Sequence, residues 1–262
     1  MMRIRITLSS TILLKPVEVV AAVPYSFGSV DPPFRAVWAL HCAMGSGDFF
    51  FEVLNASSIV DKENLVIIAP SLGNGYFINS PYERQADFLQ ELLESMRGIL
   101  PLSHAKVDNA LVGVSMGGFG AVRWALDSDY FGSATAISGV FDCQLPIDER
   151  IMKSRGQRAL HTTFKKVMAK LLLDDTGQTR PDADFNLLFQ QSQRSFLPQI
   201  NLYCGGQDYL SLPHTMELKR LCDNYGCPVE LNISDGEHDA AYWQSAFKDA
   251  VPAFFRHSGQ EI

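Results

Sequence analysis

The chain has 262 residues, of which 47% are hydrophobic and 19% charged, and its formal net charge is −7. That length is enough to bury a full α/β core in one unit, and the apolar content excludes a disordered chain. The acidic excess leaves no electrostatic footprint for nucleic acid and disfavours an anionic membrane surface.

From the start of the chain, Met1–Lys15 sets Arg3, Arg5 and Lys15 around a short apolar stretch interrupted by Thr7, Ser9, Ser10 and Thr11. This is a poor signal-peptide core, and no small-residue cleavage site follows it convincingly. No run of about 18 apolar residues occurs anywhere, so no transmembrane helix is expected. The five cysteines (Cys42, Cys143, Cys204, Cys222 and Cys227) are odd in number and scattered. They show no metal-ligand spacing, and they read as reduced thiols of a cytoplasmic protein, with Cys222 and Cys227 able to approach each other near a turn.

Short apolar runs then alternate with amphipathic stretches. Val17–Val23, Arg35–His41 and Leu65–Ala69 are expected strands, as are Asn109–Val114, Ser133–Ser138, Gln199–Cys204 and Val229–Ser234. The central ones are β-branched and almost free of charge, as strands buried on both faces of a parallel sheet must be. Ser80-Pro81-Tyr82-Glu83 reads as a capping box, followed by an apolar helical face of Phe88, Leu89, Leu92, Leu93 and Met96. Leu212–Tyr225, ended by Gly226, and Ala241–Phe255, crossed by Pro252, read as further helices. Alternation of this kind implies a doubly wound, mostly parallel sheet in a single domain spanning 1–262.

One segment breaks the rhythm. Between Ser138 and Gln199 no convincing strand appears. Leu160, Phe164, Val167, Met168, Leu171 and Leu172 fall at helical spacing, and Asp174–Asp184 is polar and turn-rich. The stretch 141–196 is therefore expected to be a helical insertion over one end of the sheet, either a lid or a plain surface excursion.

The most informative stretch is Asn109 to Gly118. It contains G-x-S-x-G as Gly113, Ser115 and Gly117, with an apolar strand running into it and a helix-compatible segment behind it. The chemistry needs a sharp strand-to-helix turn with the nucleophile at its tip, and the flanking positions must be small. A serine hydroxyl also needs a base, and the base needs a group that holds its tautomer. In this architecture the chain order is serine, acid, histidine. Of the histidines after Ser115, His161 lies in the insertion, His214 starts a helix and His257 lies in the tail. His238 falls in the polar loop after the last strand, where the base is required. Asp208 follows the preceding strand, in Gly205-Gly206-Gln207-Asp208, and is the expected acid.

The amide of Met116, next to the nucleophile, is one expected oxyanion donor. Ala43 is the other, in the small-residue loop Leu40-His41-Cys42-Ala43-Met44-Gly45-Ser46-Gly47. No Gly-Lys-Ser/Thr follows that loop, which argues against phosphate cradling. No cofactor and no metal are expected.

These pieces together resemble the α/β-hydrolase superfamily. More narrowly they are similar to its esterase D or tributyrin-esterase-like branch, which includes short-acyl carboxylesterases and S-formylglutathione hydrolases. The matching residues are Leu40 to Gly45, Gly113-Val114-Ser115-Met116-Gly117-Gly118, Gly205-Gly206-Gln207-Asp208 and Gly236-Glu237-His238-Asp239-Ala240-Ala241-Tyr242-Trp243, in family order from about residue 15 onward. The chain departs from the family pattern at His41-Cys42, where His-Gly is usual, and at Gly236-Glu237, where two glycines are common. A Cβ at residue 42 is expected to constrict that turn or change its backbone angles.

The resemblance implies a serine esterase cleaving small, short-acyl carboxylic esters through an acyl-enzyme. Thioester hydrolysis, acyl transfer to an alcohol and a non-catalytic binding role are the rival readings. The expected partner is a small-molecule ester rather than nucleic acid, and self-association into a homo-oligomer stays open.

Overall fold

The computed structural model describes residues 1–28, 33–145, 150, 155–192 and 197–255. Eight strands form one sheet in the order β1-β2-β4-β3-β5-β6-β7-β8. They are β1 (Met2–Ser10), β2 (Lys15–Val23), β3 (Arg35–Leu40), β4 (Leu65–Pro70), β5 (Asn109–Val114), β6 (Ser133–Ile137), β7 (Gln199–Gly205) and β8 (Val229–Ser234). β1 and β2 pair antiparallel, as do β2 and β4, and every other pairing is parallel.

β4, β5 and β6 are buried along their whole length, which explains their apolar runs without alternation. Successive residues of each strand feed opposite cores. Trp38, Val66, Ile68 and Leu111 face one side. There they meet α3 (Gln85–Ile99) and α4 (Met116–Asp127). Val37, Ile67 and Val112 face the other, against α1 (Phe49–Glu52), α2 (Ser57–Glu63) and α8 (Ala240–Ala250). Trp38 anchors the first core, with Trp124 and Phe131 edge-on at 5.9 and 6.3 Å and its indole N–H donating to Asn109 Oδ1 at 3.2 Å.

Two expectations are corrected, and one strand is added to those expected. Residues 2–10 form an edge strand. Ile4, Ile6 and Leu8 turn towards the first core, while Arg3 and Arg5 stay outside on Glu52, Asp48 and Glu18. Charge on an outer strand discourages edge-to-edge pairing.

The Ser80 motif closes a turn and does not cap a helix. Its hydroxyl accepts from the N–H groups of Tyr82 and Glu83, both at 3.2 Å. α3 starts two residues later, at Gln85. The last helix stops at Ala250, because Pro252 has no N–H to continue it, and Val251–Ala253 tighten into a 3₁₀ turn.

Between β6 and β7 lie α5 (Arg155–Leu172) and α6 (Phe185–Gln191). On α5, Met168 and Leu172 are buried but Val167 is exposed, so it leaves the expected apolar face. The side chains of Leu160 and Phe164 lie outside the described residues. α6 is fastened to the body: Asp184 caps it through the Asn186 and Leu187 amides, and Phe185 packs edge-on against Phe119 of α4 at 5.2 Å. Arg123 Nε, also on α4, donates to the Asp182 carbonyl at 2.9 Å. Among the described residues, no helix is long and apolar enough to cross a membrane.

Candidate active site

β5 delivers Ser115 to a strained turn, with φ 54° and ψ −114° at the N-cap of α4. The strain, of order 1–3 kcal/mol, is held in place by its surroundings. The Ser115 amide donates to the Ile137 carbonyl at 2.9 Å, and its own carbonyl accepts from Gly118 at 3.0 Å. A Cβ on Gly113 would overlap the Gly117 carbonyl, and one on Gly117 would overlap the Leu40 carbonyl. The small residues of the motif are thus steric necessities.

Ser115 Oγ lies 3.0 Å from His238 Nε2, and His238 Nδ1 lies 2.9 Å from Asp208 Oδ2. Since a carboxylate only accepts, the hydrogen-bond pattern assigns the proton to Nδ1 and leaves Nε2 to accept from the serine hydroxyl. Two loops must touch for this geometry to form. A Cβ on Gly205 would overlap the Gly236 carbonyl, and Gly236 itself has φ 154°. Gln207 stitches the loops together, its amide donating to the Gly236 carbonyl and its Oε1 accepting from the Gly236 amide at 2.8 Å. Trp243 holds the other side of the imidazole, edge-on at 5.0 Å.

Asp208 is buried, and burial alone pushes its carboxyl upward. Hydrogen bonding and charge from His238, with further bonds from Ser211, more than offset that and hold it below the usual carboxylate value. Of the other histidines, His214 sits in the first turn of α7 (Leu212–Asn224) and accepts from the Asp142 amide at 3.2 Å. The side chain of His161 and all of His257 lie outside the described residues.

Met116 opens α4, and Gly117 beside it rests against the Leu40 and His41 carbonyls. The first turn of α4 and the Ala43 loop therefore adjoin. Among the described residues, neither the Ala43 nor the Met116 amide has a hydrogen-bond acceptor.

Cys42 does not need glycine's freedom. The left-handed residue of this turn is Met44, at φ 62°, and the Cys42 carbonyl accepts from the Gly45 amide at 3.0 Å. Burial pushes the Cys42 thiol up to about 11, so it is a poor nucleophile. All five cysteines are free and buried. Among the described residues, no cluster suited to a metal ion occurs.

The brace behind this loop is not legible in the sequence. His41 donates from Nδ1 to the Cys42 carbonyl at 2.7 Å and accepts at Nε2 from the Leu72 amide at 3.1 Å. Gln85 holds the same segment, donating to the Leu72 carbonyl at 2.6 Å and accepting from the Phe77 amide at 3.1 Å. Asn74 accepts from the Met44 amide at 2.7 Å.

Burial lowers the pKa of His41 from its ordinary 6.5. Its neutral form therefore contributes stability that is fully present above that value and is lost as pH falls through the folded one. His41→Ala is expected to cut kcat/KM about 10- to 100-fold by loosening the loop. It should also remove part of the stability loss on acidification below pH 6.5. Ester kinetics and urea titrations at two pH values check both, and kinetics matching the wild type would refute the brace.

Comparisons with known proteins identify the family of the chain. The family model Esterase, described as “Putative esterase”, matches residues 75–254, more than half of the chain. The chain is similar to an acetyl esterase of Caldicellulosiruptor saccharolyticus, with 22% identity over 229 residues covering 82% of this chain and 81% of that protein. Among solved structures it resembles fluorophosphonate-binding serine hydrolase F of Staphylococcus aureus, with TM-score 0.80 and 21% identity, covering 97% and 98% of the two chains. It also resembles the S-formylglutathione hydrolase FrmB of the same organism, with TM-score 0.77 and 21% identity, covering 97% and 99%. The chain therefore belongs to the esterase family, carboxylic ester hydrolases built on the α/β-hydrolase fold.

Proposed function

We propose that the protein hydrolyses small, short-acyl esters with Ser115 as nucleophile, His238 as base and Asp208 as orienting acid. The observation that carries this reading is the continuous line from Ser115 Oγ through His238 to Asp208 Oδ2, with steps of 3.0 and 2.9 Å. Ser115 Oγ attacks the ester carbonyl while its proton passes to His238 Nε2. The Met116 and Ala43 amides stabilise the oxyanion. His238 returns the proton to the leaving alkoxide, and water activated by His238 then releases the acid and regenerates the serine.

The likeness to an acetyl esterase supports a short acyl group. The fold shared with an S-formylglutathione hydrolase favours one second reading, a thioester substrate served by the same groups. We further read the chain as one domain with an insertion at 141–196, and as a cytoplasmic protein in keeping with its free thiols.

The test is a para-nitrophenyl series from acetate to decanoate beside matched thioesters, with a fluorophosphonate label mapped by peptide mass. The expected result is labelling at Ser115 and a kcat/KM that falls about tenfold or more from butyrate to decanoate. Labelling elsewhere, or the greatest turnover on the longest chain, overturns the reading. Thioesters outpacing their matched esters would favour the second substrate class.

A further inference from the structure

Asp208 Oδ2 receives two donors. One is His238 Nδ1 at 2.9 Å and the other is the hydroxyl of Ser211, a fully buried residue just before α7. The Ser211 amide takes the second carboxylate oxygen, Oδ1, at 3.0 Å. A single residue thus grips both oxygens and leaves the carboxylate no freedom to turn about its Cβ–Cγ bond. The main chain of Asp208 is fixed as well, its amide donating to Gly205 at 3.1 Å and its carbonyl accepting from Leu212 at 2.9 Å. Ser211 Oγ lies 3.5 Å from His238 Nδ1 and 3.5 Å from Cys204 Sγ.

We propose that Ser211 is a positioning residue of the catalytic line, its hydroxyl holding Asp208 Oδ2 on the axis of His238 Nδ1 and sharing the negative charge that His238 draws on. The inference rests on the triad reading above. It makes the functional unit Ser115–His238–Asp208–Ser211, in which the last member touches no substrate.

The neighbours of this unit keep the argument simple. The Cys204 thiol, facing Asp208 from β7, is pushed up to about 12 by burial and by the Asp208 charge. The Tyr242 phenol, on α8, is also raised by burial. Both are neutral across the working range. In the loop of His238 itself, Glu237 is exposed and the Asp239 carboxylate is occupied by the Tyr242 amide at 2.9 Å. Histidine is the group that ordinarily changes charge between pH 5 and 8. Removing the Ser211 hydroxyl leaves Oδ2 to the imidazole alone. The imidazolium is then held more tightly, and the base stays protonated to a higher pH.

The experiment measures kcat/KM for para-nitrophenyl acetate, and the rate of fluorophosphonate labelling, against pH. The proteins are the wild type, Ser211→Ala, Ser211→Cys and Cys204→Ala. Ser211→Ala is expected to move the acid limb of both profiles upward by about half a pH unit and to lower the plateau about three- to tenfold. Ser211→Cys, with a weaker donor, should fall between Ser211→Ala and the wild type. Cys204→Ala loosens packing but keeps the hydroxyl, and it should leave the acid limb where it is. An acid limb in Ser211→Ala that coincides with the wild type overturns the inference, whatever happens to the plateau. If Ser211→Ala does not fold, Ser211→Cys is judged by the same criterion. A wild type that labels at Ser115 with an unmoved limb in the variants removes Ser211 alone. A wild type that does not label removes the triad and Ser211 together.

Discussion

Ser115→Ala is expected to lower ester turnover about 10⁶-fold and to abolish fluorophosphonate labelling, with little change in stability. The size of the loss follows from the geometry. Oγ is the only atom of residue 115 that reaches His238 Nε2, and the proposed covalent intermediate cannot form without it. What survives is the contribution of the oxyanion amides and of binding, about 10³- to 10⁴-fold over water. Stability should hold because alanine keeps the Cβ that makes φ 54° costly, and among the described residues Oγ bonds only to His238. Ser115→Gly gives the complementary result. It is equally inactive, but release of that strain should raise stability by about 1 kcal/mol, read as a shift in the urea midpoint. Full activity in Ser115→Ala would remove Ser115 from the mechanism. Unchanged stability in Ser115→Gly would show the strain to be small.

Gly117→Ala has the largest expected effect on folding. The new Cβ would be driven into the Leu40 carbonyl, with the His41 carbonyl close behind. Both obstacles are backbone, and the Leu40 carbonyl belongs to a central strand with neighbours on each side. Neither can step aside as a flexible side chain would. A loss of more than about 4 kcal/mol is expected, enough to leave little soluble protein.

Gly98→Ala is the control of opposite sign. Gly98 lies on the exposed face of α3, and a Cβ there meets nothing within 4 Å. That change should stabilise the protein by about 0.5–1 kcal/mol through helix propensity. Thermal melts of the two variants should move in opposite directions. A soluble, normally melting Gly117→Ala protein would refute the close approach of α4 to β3.

What the residues disclose depends on how locally each feature is encoded. The turn around Ser115 is legible because strand, glycines and helix occupy one continuous stretch, and each needs its own residue type. Asp208 and His238 are legible because fold order restricts where an acid and a base can stand. β1 escapes a reading of composition because Arg3 and Arg5 dominate its character, although Ile4, Ile6 and Leu8 keep the period of a strand. The Ser80 motif misleads because a hydroxyl that accepts amides two and three residues ahead closes a turn as readily as it caps a helix. The brace of His41, Gln85 and Asn74 depends on accepted amides 8 to 31 positions away, and no local pattern announces it. Ser211 lies three residues from Asp208, yet its importance appears only when His238, 27 positions on, is folded against both.

The order of strands also has a bearing on when this chemistry becomes available. Ser115 follows the central strand β5, whereas His238 follows β8, the outermost strand on its side of the sheet. A chain emerging from the ribosome can build the nucleophile turn long before its base exists. On the proposed mechanism, such a nascent chain carries an inert hydroxyl, and reactivity begins only when β8 docks on β7. Acylation by passing esters is thereby deferred until the body is closed, so the appearance of activity marks the completion of folding.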